Sequence, residues 1–385
     1  MAIAPAFRSA HSAVADARQA AREFHAGVSQ PDMAMVMFFC SSEYDLDTLA
    51  EELNILFAGV PLIGCTTAGE IGPAGYRNHS LSGVSFAAAE CTAVAGCLTG
   101  LQEFGIAAGQ KFANDLLQEL ESRSPAVSAA NTFGFLLIDG MSIREEPVTR
   151  TLKSVLGEIM LCGGSAGDDL KFVRTWVFHD GAFHTDSAVM ALITTSLPFR
   201  LFKTQHFVCD NERLVVTDVD AAHRIVKEIN GLPAAEEYAR VLGIGVEELN
   251  PMRFAETPVV VVIDGTDYVR SIQTANPDGT LTFYCAIDEG LVLRVAHGKD
   301  LVSNLEQAFA GIHDEIGPLQ LTLGCDCILR NLEIIQKDLA TTVGDIFERN
   351  KAIGFCTYGE QFGGVHVNQT FTGIAIGFAP DDGNG

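Results

Sequence analysis

Apolar and polar positions follow one pattern that occurs three times along the chain. Each occurrence has an apolar run, a stretch with helical periodicity, a second apolar run that ends in a short polar sequence, and a further apolar run. The opening runs are residues 35–39, 133–138 and 319–323, the helical stretches are 45–57, 147–156 and 331–347, and the closing runs are 81–86, 188–193 and 371–378. Because strands that alternate with helices favour layered architectures, the pattern predicts an α/β fold (mixed α+β) of layered sheets flanked by helices.

A shift of 290 positions places one segment of the chain over another without a gap. Residues 63–70 then lie over 353–360, and residues 78–84 lie over 368–374. Both segments begin with Ile-Gly and reach Thr-x-Gly-Glu, and a weaker copy at 162–168 ends in Ser-Ala-Gly-Asp. We therefore predict internally repeated strand–helix–strand–strand units, each with the signature [ST]-x-G-[DE] at the end of a buried strand.

Chain length predicts more than one domain, because a single hydrophobic core stops growing at roughly 250–300 residues and this chain has 385. Residues 200–312 interrupt the repeat with several strand-like runs and turn signals. The prediction is an N-terminal helical segment (1–28) followed by two domains (29–220 and 221–385).

Charge and composition exclude several classes of partner. The 25 basic and 49 acidic residues give a net charge of −24, which repels phosphate backbones and anionic lipid headgroups. No apolar run approaches the roughly 18–20 residues of a spanning helix, and we expect no signal peptide. Ten cysteines are too sparse for a disulfide scaffold. We expect a cytoplasmic protein that binds neither nucleic acid nor membranes, and we leave open whether it forms a homo-oligomer.

Two interpretations of the repeated signature are open. In the first, the hydroxyl caps a turn and the carboxylate accepts backbone N–H groups, which we favour for Ser165 and Asp168. In the second, the three turns converge on one pocket. For Thr357, Tyr358 and Glu360 the two interpretations are about equal, because a phenol is added to the hydroxyl and the carboxylate.

Catalytic and metal-binding motifs give little support to an enzyme. Residues 163–167, Gly-Gly-Ser-Ala-Gly, fit the G-x-S-x-G pattern, but we interpret them as a sharp turn after a buried strand whose serine caps the next amides. The sequence has no phosphate-binding glycine loop and no paired Cys-x-x-Cys spacing. The enzyme that remains to be considered would use Glu70 or Glu360 as a general base beside Cys356 or Tyr358. A redox or metal role for residues 325 and 327, both cysteines, stays open.

The quoted motifs resemble the FIST family. Residues 64–71 and the Gly-Gly-Ser-Ala-Gly-Asp run are similar to the amino-terminal FIST domain. Residues 230–243, the cysteine-containing stretch before Arg330 and residues 354–360 are similar to the carboxy-terminal one. The resemblance extends from about residue 31 to 378 in family order, and it implies a sensory protein that binds a small ligand and is not an enzyme.

Within this family the chain most resembles the stand-alone nitric-oxide-sensing hemoproteins (NosP type). That resemblance implies heme b, nitric oxide as the ligand, and control of a partner histidine kinase or cyclic-di-GMP enzyme, with a role in biofilm regulation. His206 stands where the family pattern has glycine, so we predict it as the axial iron ligand, with His297 and His366 as reserves. Thr357, Tyr358 and Glu360 are the other predicted cofactor-binding residues. The alternative is a FIST sensor of another small ligand, such as an amino acid, without heme.

Overall fold

Three units of the same design make up most of the chain. The structure, a computed structural model, describes residues 5–263 and 265–379. The first unit consists of β1 (Phe7–Ser12), α1 (Ala17–Val28), β2 (Met33–Ser41), α2 (Leu46–Leu56), β3 (Leu62–Thr67), the hairpin β4 (Glu70–Gly72) and β5 (Gly75–Arg77), and β6 (Leu81–Ala87). Asp16 and Asp45 cap α1 and α2 by accepting the amide three residues further on.

The middle unit repeats this order of elements. It consists of β7 (Cys91–Thr99), a short 3₁₀ helix (Leu101–Glu103), α3 (Ile106–Arg123), β8 (Thr132–Ile138), α4 (Glu145–Leu156), β9 (Met160–Ser165), the hairpin β10 (Val177–His179) and β11 (Ala182–His184), and β12 (Ser187–Thr195). A loop of eleven residues, 166–176, therefore separates β9 from its hairpin, where the first unit has two residues.

The third unit begins with β13 (Phe199–Thr204) and is then interrupted by an insert between residues 207 and 298. The insert consists of β14 (Phe207–Asp220), β15 (Ile225–Ile229), β16 (Leu232–Pro233), α5 (Ala234–Leu242), α6 (Pro251–Glu256), β17 (Val259–Ile263), β18 (Thr266–Arg270), β19 (Ile272–Ala275), β20 (Leu281–Phe283) and β21 (Val292–Gly298), with 3₁₀ helices at Ala221–His223 and Val246–Glu248. These strands form one sheet over a hydrophobic core of their own, centred on residues such as Leu214, Val216 and Tyr238.

After the insert the third unit continues to the end of the described chain. It consists of α7 (Leu301–Ile316), β22 (Leu319–Cys327), α8 (Ile328–Gln336), α9 (Ala340–Arg349), β23 (Ala352–Thr357), the hairpin β24 (Glu360–Phe362) and β25 (Val365–Val367), and β26 (Phe371–Gly377). Strands β3 to β6 and β23 to β26 have equal lengths and begin 290 residues apart without exception, which confirms the predicted repeat.

Each unit contributes four strands to its own sheet and one hairpin to the sheet of another unit. The sheet orders are β1-β6-β2-β3-β10-β11, β7-β12-β8-β9-β24-β25 and β13-β26-β22-β23-β4-β5. The hairpin of the first unit thus extends the third sheet, that of the third unit extends the middle sheet, and that of the middle unit extends the first. The exchange is cyclic, and it ties the three units into one body.

The principal core lies where the inner faces of the three sheets meet. Met35 and Phe39 from β2, Phe135 from β8 and Phe355 from β23 are all fully buried there, with the rings of Phe39 and Phe355 stacked at 4.7 Å between centroids. The helices of each unit cover the outer face of its sheet through separate clusters of apolar side chains. The predicted layered α/β architecture is confirmed.

The N-terminal segment and the domain boundary differ in detail from the sequence prediction. Residues 1–28 are not all helical, because β1 pairs with β6 as the edge strand of the first sheet. The predicted boundary near residue 220 coincides with the end of β14, within the insert. The third sheet combines β13 from before the boundary with β22, β23 and β26 from after it. In the described residues no helix is long and apolar enough to cross a membrane.

Candidate ligand-binding site

Glu70 closes the signature turn of the first unit. Its Oε1 accepts a hydrogen bond from the Thr67 hydroxyl at 2.5 Å, and its Oε2 accepts from the hydroxyl and the amide of Ser80 at 2.7 and 3.1 Å. The Thr67 oxygen in turn accepts the amide of Gly69. Gly69 has a φ of 130°, which L side chains rarely adopt, so the turn requires the glycine of the signature.

Glu360 repeats these contacts in the third unit. Its Oε1 accepts from the Thr357 hydroxyl at 2.5 Å, and its Oε2 accepts from the hydroxyl and the amide of Thr370 at 2.7 and 3.3 Å. Gly359, with a φ of 141°, donates its amide to the Thr357 oxygen. The capping interpretation of the signature therefore holds for Thr357 and Glu360 as well, because both carboxyl oxygens are satisfied within the turn.

Burial determines the protonation of the two carboxyl groups. Glu70 and Glu360 are both 0% exposed, and this burial raises the pKa of each to about 8, against the opposing effect of their hydroxyl partners. At neutral pH both side chains therefore hold a proton for most of the time. Neither is reachable from solvent, so the geometry gives no support to either as a general base.

The signature of the middle unit is offset by one residue from the other two. The amide of Ser165 donates to the carbonyl oxygen of Gly359 at 2.8 Å, as the amide of Cys356 donates to that of Gly69 at 2.7 Å. Ser165 thus corresponds to Cys356, and the alignment that paired Ser165 with Thr357 was wrong. The reason is the long loop after β9, which places the hairpin of the middle unit further along the chain and removes the need for an acid at its start.

Asp168 organises that long loop. Its carboxylate accepts the amides of Phe172, Val173 and Arg174 at 2.7 to 2.9 Å. The Tyr358 hydroxyl of the third unit also donates to Asp168. The predicted turn-capping role of Asp168 is confirmed, and the Tyr358 contact adds a direct link between two signature turns.

The three signature turns interlock through their main chains. The carbonyl oxygen of Cys356 accepts the amide of Ala68 at 3.0 Å, and that of Ser165 accepts the amide of Tyr358 at 3.2 Å. The carbonyl oxygen of Thr66 accepts the amide of Gly167 at 2.9 Å. The turns therefore converge, but they pack directly against one another through these hydrogen bonds.

A cavity of about 150 Å³ lies beside Tyr358. It is bounded by residues from the middle unit, the insert and the third unit, namely Gly140, Met141, Ile143, Glu145, Phe172, His223, Arg224, Gln273, Thr282, Phe283, Tyr284 and Tyr358. Because three parts of the chain form its wall, a ligand in this cavity would contact all of them at once.

Aromatic rings form one wall of this cavity. The ring of Phe172 stacks on that of Tyr358 with 4.5 Å between centroids and lies 6.1 Å from that of Tyr284. Phe172 is held in place by the amide that it donates to Asp168. Such a wall offers apolar area and the negative faces of π systems, to which cations are attracted.

Arg224 and Glu145 also line this cavity and belong to a buried cluster of charges. Arg224 Nη2 lies 2.6 Å from a carboxylate oxygen of Glu145 and 2.6 Å from one of Glu146, and Nη1 donates to the carbonyl oxygen of Tyr284 at 2.6 Å. Burial raises the pKa of Glu145, whereas that of Glu146 is lowered by nearby His366 and by Arg224 despite its own burial. Arg224 has five N–H donors, of which these contacts use three.

His206 lies outside this cavity. Its ring is fully enclosed, with Nε2 3.0 Å from Glu333 Oε2, and within the described residues its Nδ1 has no hydrogen-bond partner. A carboxylate on one ring nitrogen and a second nitrogen without a partner is the arrangement typical of a metal-bound histidine. The ring is packed against Phe207, however, with 4.3 Å between ring centroids.

The two reserve histidines differ strongly in exposure. His366 is buried beside Gln361, and its burial lowers its pKa to about 4, so it is neutral at pH 7. His297 is about half exposed, and its Nε2–H donates to Asp210 Oδ2 at 2.8 Å. It lines a cavity of about 350 Å³ with Arg253 and several apolar residues.

Two family models match the chain in succession. That of the FIST N domain matches residues 34–232, and that of the FIST C domain matches residues 234–363. The chain belongs to the FIST family. FIST domains are small-ligand-sensing domains of signalling proteins rather than catalytic domains. The two FIST models meet inside the insert, and a comparison with curated proteins found no match.

Heme, which the resemblance to the nitric-oxide sensors of this FIST family implies, does not fit at His206 in this structure. The side chain is 0% exposed, so a porphyrin cannot reach Nδ1 unless the surrounding side chains move. His366 is enclosed in the same way, with its Nε2 close to Gly359. Among the described residues no group of three or more His, Cys, Asp or Glu side chains is arranged to hold a metal ion.

One predicted site residue, Tyr358, lines the cavity, whereas its other lining residues are not among the predicted ones. Tyr358 was predicted from its place in a signature turn, and it does line the cavity, while Thr357 and Glu360 lie in the turn behind it. Arg224 and Tyr284 were missed, because they belong to the insert and approach Tyr358 only after folding. A usable signal was the rarity of basic residues, since Arg224 is one of 25 Lys and Arg residues in a chain with a charge of −24.

Proposed function

We propose that this FIST protein is a signalling protein that senses a small zwitterion, such as an amino acid, in the cavity beside Tyr358. The observation that carries the proposal is the pairing of an aromatic wall with a buried Arg224–Glu145 pair around one small space. The cavity lies where the insert meets the middle and third units, so a bound ligand would contact several parts of the chain.

The volume of the cavity limits the size of the ligand. Sites for drug-sized ligands and cofactors usually measure roughly 300–1,000 Å³, whereas this cavity measures about 150 Å³. A molecule of a few heavy atoms, such as a small amino acid, suits this space. A porphyrin is far too large for it.

The charges of the wall define the chemistry of the ligand. Arg224 has two N–H donors that make none of the observed contacts, one on Nε and one on Nη1, and each can donate to an oxygen of a ligand carboxylate. An ammonium group would be attracted by the carboxyl group of Glu145 and by the faces of Phe172 and Tyr358. A molecule with both groups matches both the aromatic wall and the cluster of charges.

Signalling follows from the position of the cavity. A ligand that touches the insert and the units shifts the equilibrium toward whichever relative arrangement it binds better. We propose that the activity of a partner histidine kinase or cyclic-di-GMP enzyme depends on this arrangement of the insert and the units, as the family resemblance implies.

Thermal unfolding with a panel of the twenty amino acids tests the proposal. We expect at least one of them to raise the Tm in a concentration-dependent manner, because a ligand that binds the folded state stabilises it. Arg224→Lys keeps the charge but loses the guanidinium fork, so the shift should disappear. Arg240→Lys is the matched control, since Arg240 pairs with Glu237 and Glu212 on the surface of the insert. No shift with any amino acid, or an equal shift in Arg224→Lys, would contradict the proposal.

A second candidate function is heme-dependent sensing of nitric oxide. For this function the cavity at His297 favours His297 over His206 as the axial ligand. Asp210 holds one nitrogen of His297, as expected for an axial ligand, and Val241, Leu242 and Val295 offer apolar walls. Arg253 lies in the same wall, where its charge suits a propionate, and within the described residues its Nε has no hydrogen-bond partner. Iron held there would supply the nitric oxide binding site, while the chain's own residues hold and orient the ring.

A further inference from the structure

Arg330 is one of the largest fully buried side chains of the protein. It is 0% exposed, and its Nε donates to Asp326 Oδ1 at 2.7 Å. Both terminal nitrogens, Nη1 and Nη2, are buried too, and within residues 5–263 and 265–379 neither has a hydrogen-bond partner. Four N–H donors of a permanent cation therefore lie inside the protein without an acceptor.

The orientation of Arg330 is fixed from one side. It is the third residue of α8, which starts directly after β22, and Asp326 is the second-last residue of that strand. Asp326 is itself held by the hydroxyl of Tyr76, which the hairpin of the first unit brings into the third sheet. The Nε edge of the guanidinium group is thus occupied, and the edge formed by Nη1 and Nη2 faces away from Asp326.

Buried N–H donors without an acceptor destabilise the folded protein, so we expect Nη1 and Nη2 of Arg330 to have a hydrogen-bond partner. An unsatisfied buried donor loses its hydrogen bonds to water without replacement, and the penalty is larger for a charged group. Native proteins rarely leave such groups without a partner, and charges inside them are paired. Asp326 is the one acceptor that Arg330 has in the described residues, and it uses the Nε edge. Because residues 5–263 and 265–379 supply no acceptor for the Nη edge, a ligand from solution can fill this role.

We propose that the Nη edge of Arg330 binds a planar oxyanion, a carboxylate of the size of formate or acetate. Two parallel N–H donors of a guanidinium group match the two oxygens of a carboxylate in one plane. Nη1, Nη2 and the rest of the Arg330 side chain are fully buried, which favours a ligand of very few atoms. The site is separate from the cavity beside Tyr358.

Charge balance is consistent with one bound anion. Glu333, three residues after Arg330, contacts Lys337 and His206, so its carboxylate already has partners other than Arg330. Burial raises the pKa of Asp326 although Arg330 acts in the opposite direction, so a proton on Asp326 can accompany the anion into the site. The carboxylate then replaces Asp326 as the counter-charge of Arg330.

Thermal unfolding in formate, acetate, sulfate and chloride at one ionic strength tests the site. The full chain is dialysed into chloride and then transferred to each salt. We expect a higher Tm in formate or acetate than in chloride or sulfate, and no such difference in Arg330→Lys. An equal response of both proteins, or a response to sulfate alone, would overturn the proposal. Amino acid binding should persist in Arg330→Lys, which distinguishes failure of this site from failure of the proposed function.

A second measurement keeps the test valid if Arg330→Lys does not fold. A crystal structure of the unaltered protein grown in acetate should show planar density within hydrogen-bond distance of Nη1 and Nη2. Ordered water alone at these two nitrogens would overturn the proposal.

Discussion

Glu70 and Glu360 occupy the same position in two units that are 290 residues apart, and each is held by a threonine three residues before it and by a hydroxyl residue ten residues after it. Because the two glutamates make the same hydrogen bonds, the two units share individual side-chain contacts as well as a similar sequence. The same contacts also mean that two buried carboxyl groups respond to pH together.

The first prediction is that stability falls as the pH rises from 6.5 to 8. Burial raises the pKa of both glutamates to about 8 from 4.5, so in this interval the folded protein holds two protons that the unfolded chain has released. Each contributes a slope of about −1.4 kcal/mol per pH unit to the free energy of unfolding, diminishing near pH 8. Below pH 6.5 the slope lessens, because His366, whose pKa burial lowers to about 4, acts in the opposite direction.

Urea unfolding at several pH values measures this slope. Glu70→Gln with Glu360→Gln keeps the shape of the protonated acids, so the double variant should lose most of the dependence between pH 6.5 and 8. A wild-type protein that gains stability over this interval would show that the two carboxyl groups are ionised in the fold.

The second prediction concerns the shared core of the three sheets. Phe39→Ala should lower the free energy of unfolding by about 3–5 kcal/mol, because it leaves a cavity beside Phe355. Phe378→Ala is the control, since Phe378 is 55% exposed and should change stability by at most about 0.5 kcal/mol. Denaturant unfolding of both variants gives the comparison, and equal losses would argue against a common core.

The third prediction concerns the loop that carries Phe172. Asp168→Ala removes the acceptor of three amides and of the Tyr358 hydroxyl, so residues 169–174 should lose their fixed conformation. The variant should be cleaved faster in this loop by trypsin, which can act at Lys171 and Arg174. Asp45→Ala, which removes the cap of α2 on the surface, provides the control for a general loss of stability. Unchanged cleavage in Asp168→Ala would show that the loop does not depend on this carboxylate.

The fourth prediction separates the heme ligands. When the protein is mixed with heme, the His297→Ala variant should lose or shift the Soret band and the ferrous-nitrosyl spectrum more than the His206→Ala variant does. The reason is that His297 lines a cavity, whereas the His206 side chain is 0% exposed. A spectrum lost in His206→Ala alone would restore His206 as the axial ligand and would require the packing around it to open. A spectrum that no single histidine changes would indicate adventitious heme.

The sequence predicted the repeat because the signature turns need particular residues. Gly69 and Gly359 adopt a φ that excludes other residues, and the hydroxyl and carboxyl partners are few in kind. The exchange of hairpins between units could not be predicted from the sequence. The backbone N–H and C=O groups of β4 could form the same hydrogen bonds with the edge strand of its own sheet as with β23 of another. The offset of Ser165 was hidden for a related reason, because a glycine pair and a small polar residue fit either alignment.

The cavity could not be predicted from the sequence for a different reason. Arg224 and Tyr358 are more than a hundred residues apart, and neither has a motif that points to the other. His206, the predicted axial ligand, is buried in the short connection between β13 and β14. Its partner Glu333 lies on α8, however, and sequence alone could not show that this carboxylate and the surrounding side chains would enclose the ring.

The central claim is that a small zwitterion occupies the cavity beside Tyr358, and calorimetric titration of three proteins tests it most directly. Met141 lines the cavity and is 38% exposed, so a larger side chain there can close the space without disturbing the core. We predict one binding site per chain for the amino acid that raises the Tm most, unchanged in Met141→Leu and weakened at least tenfold in Met141→Trp. Equal affinity in all three proteins would place the ligand elsewhere and contradict the account.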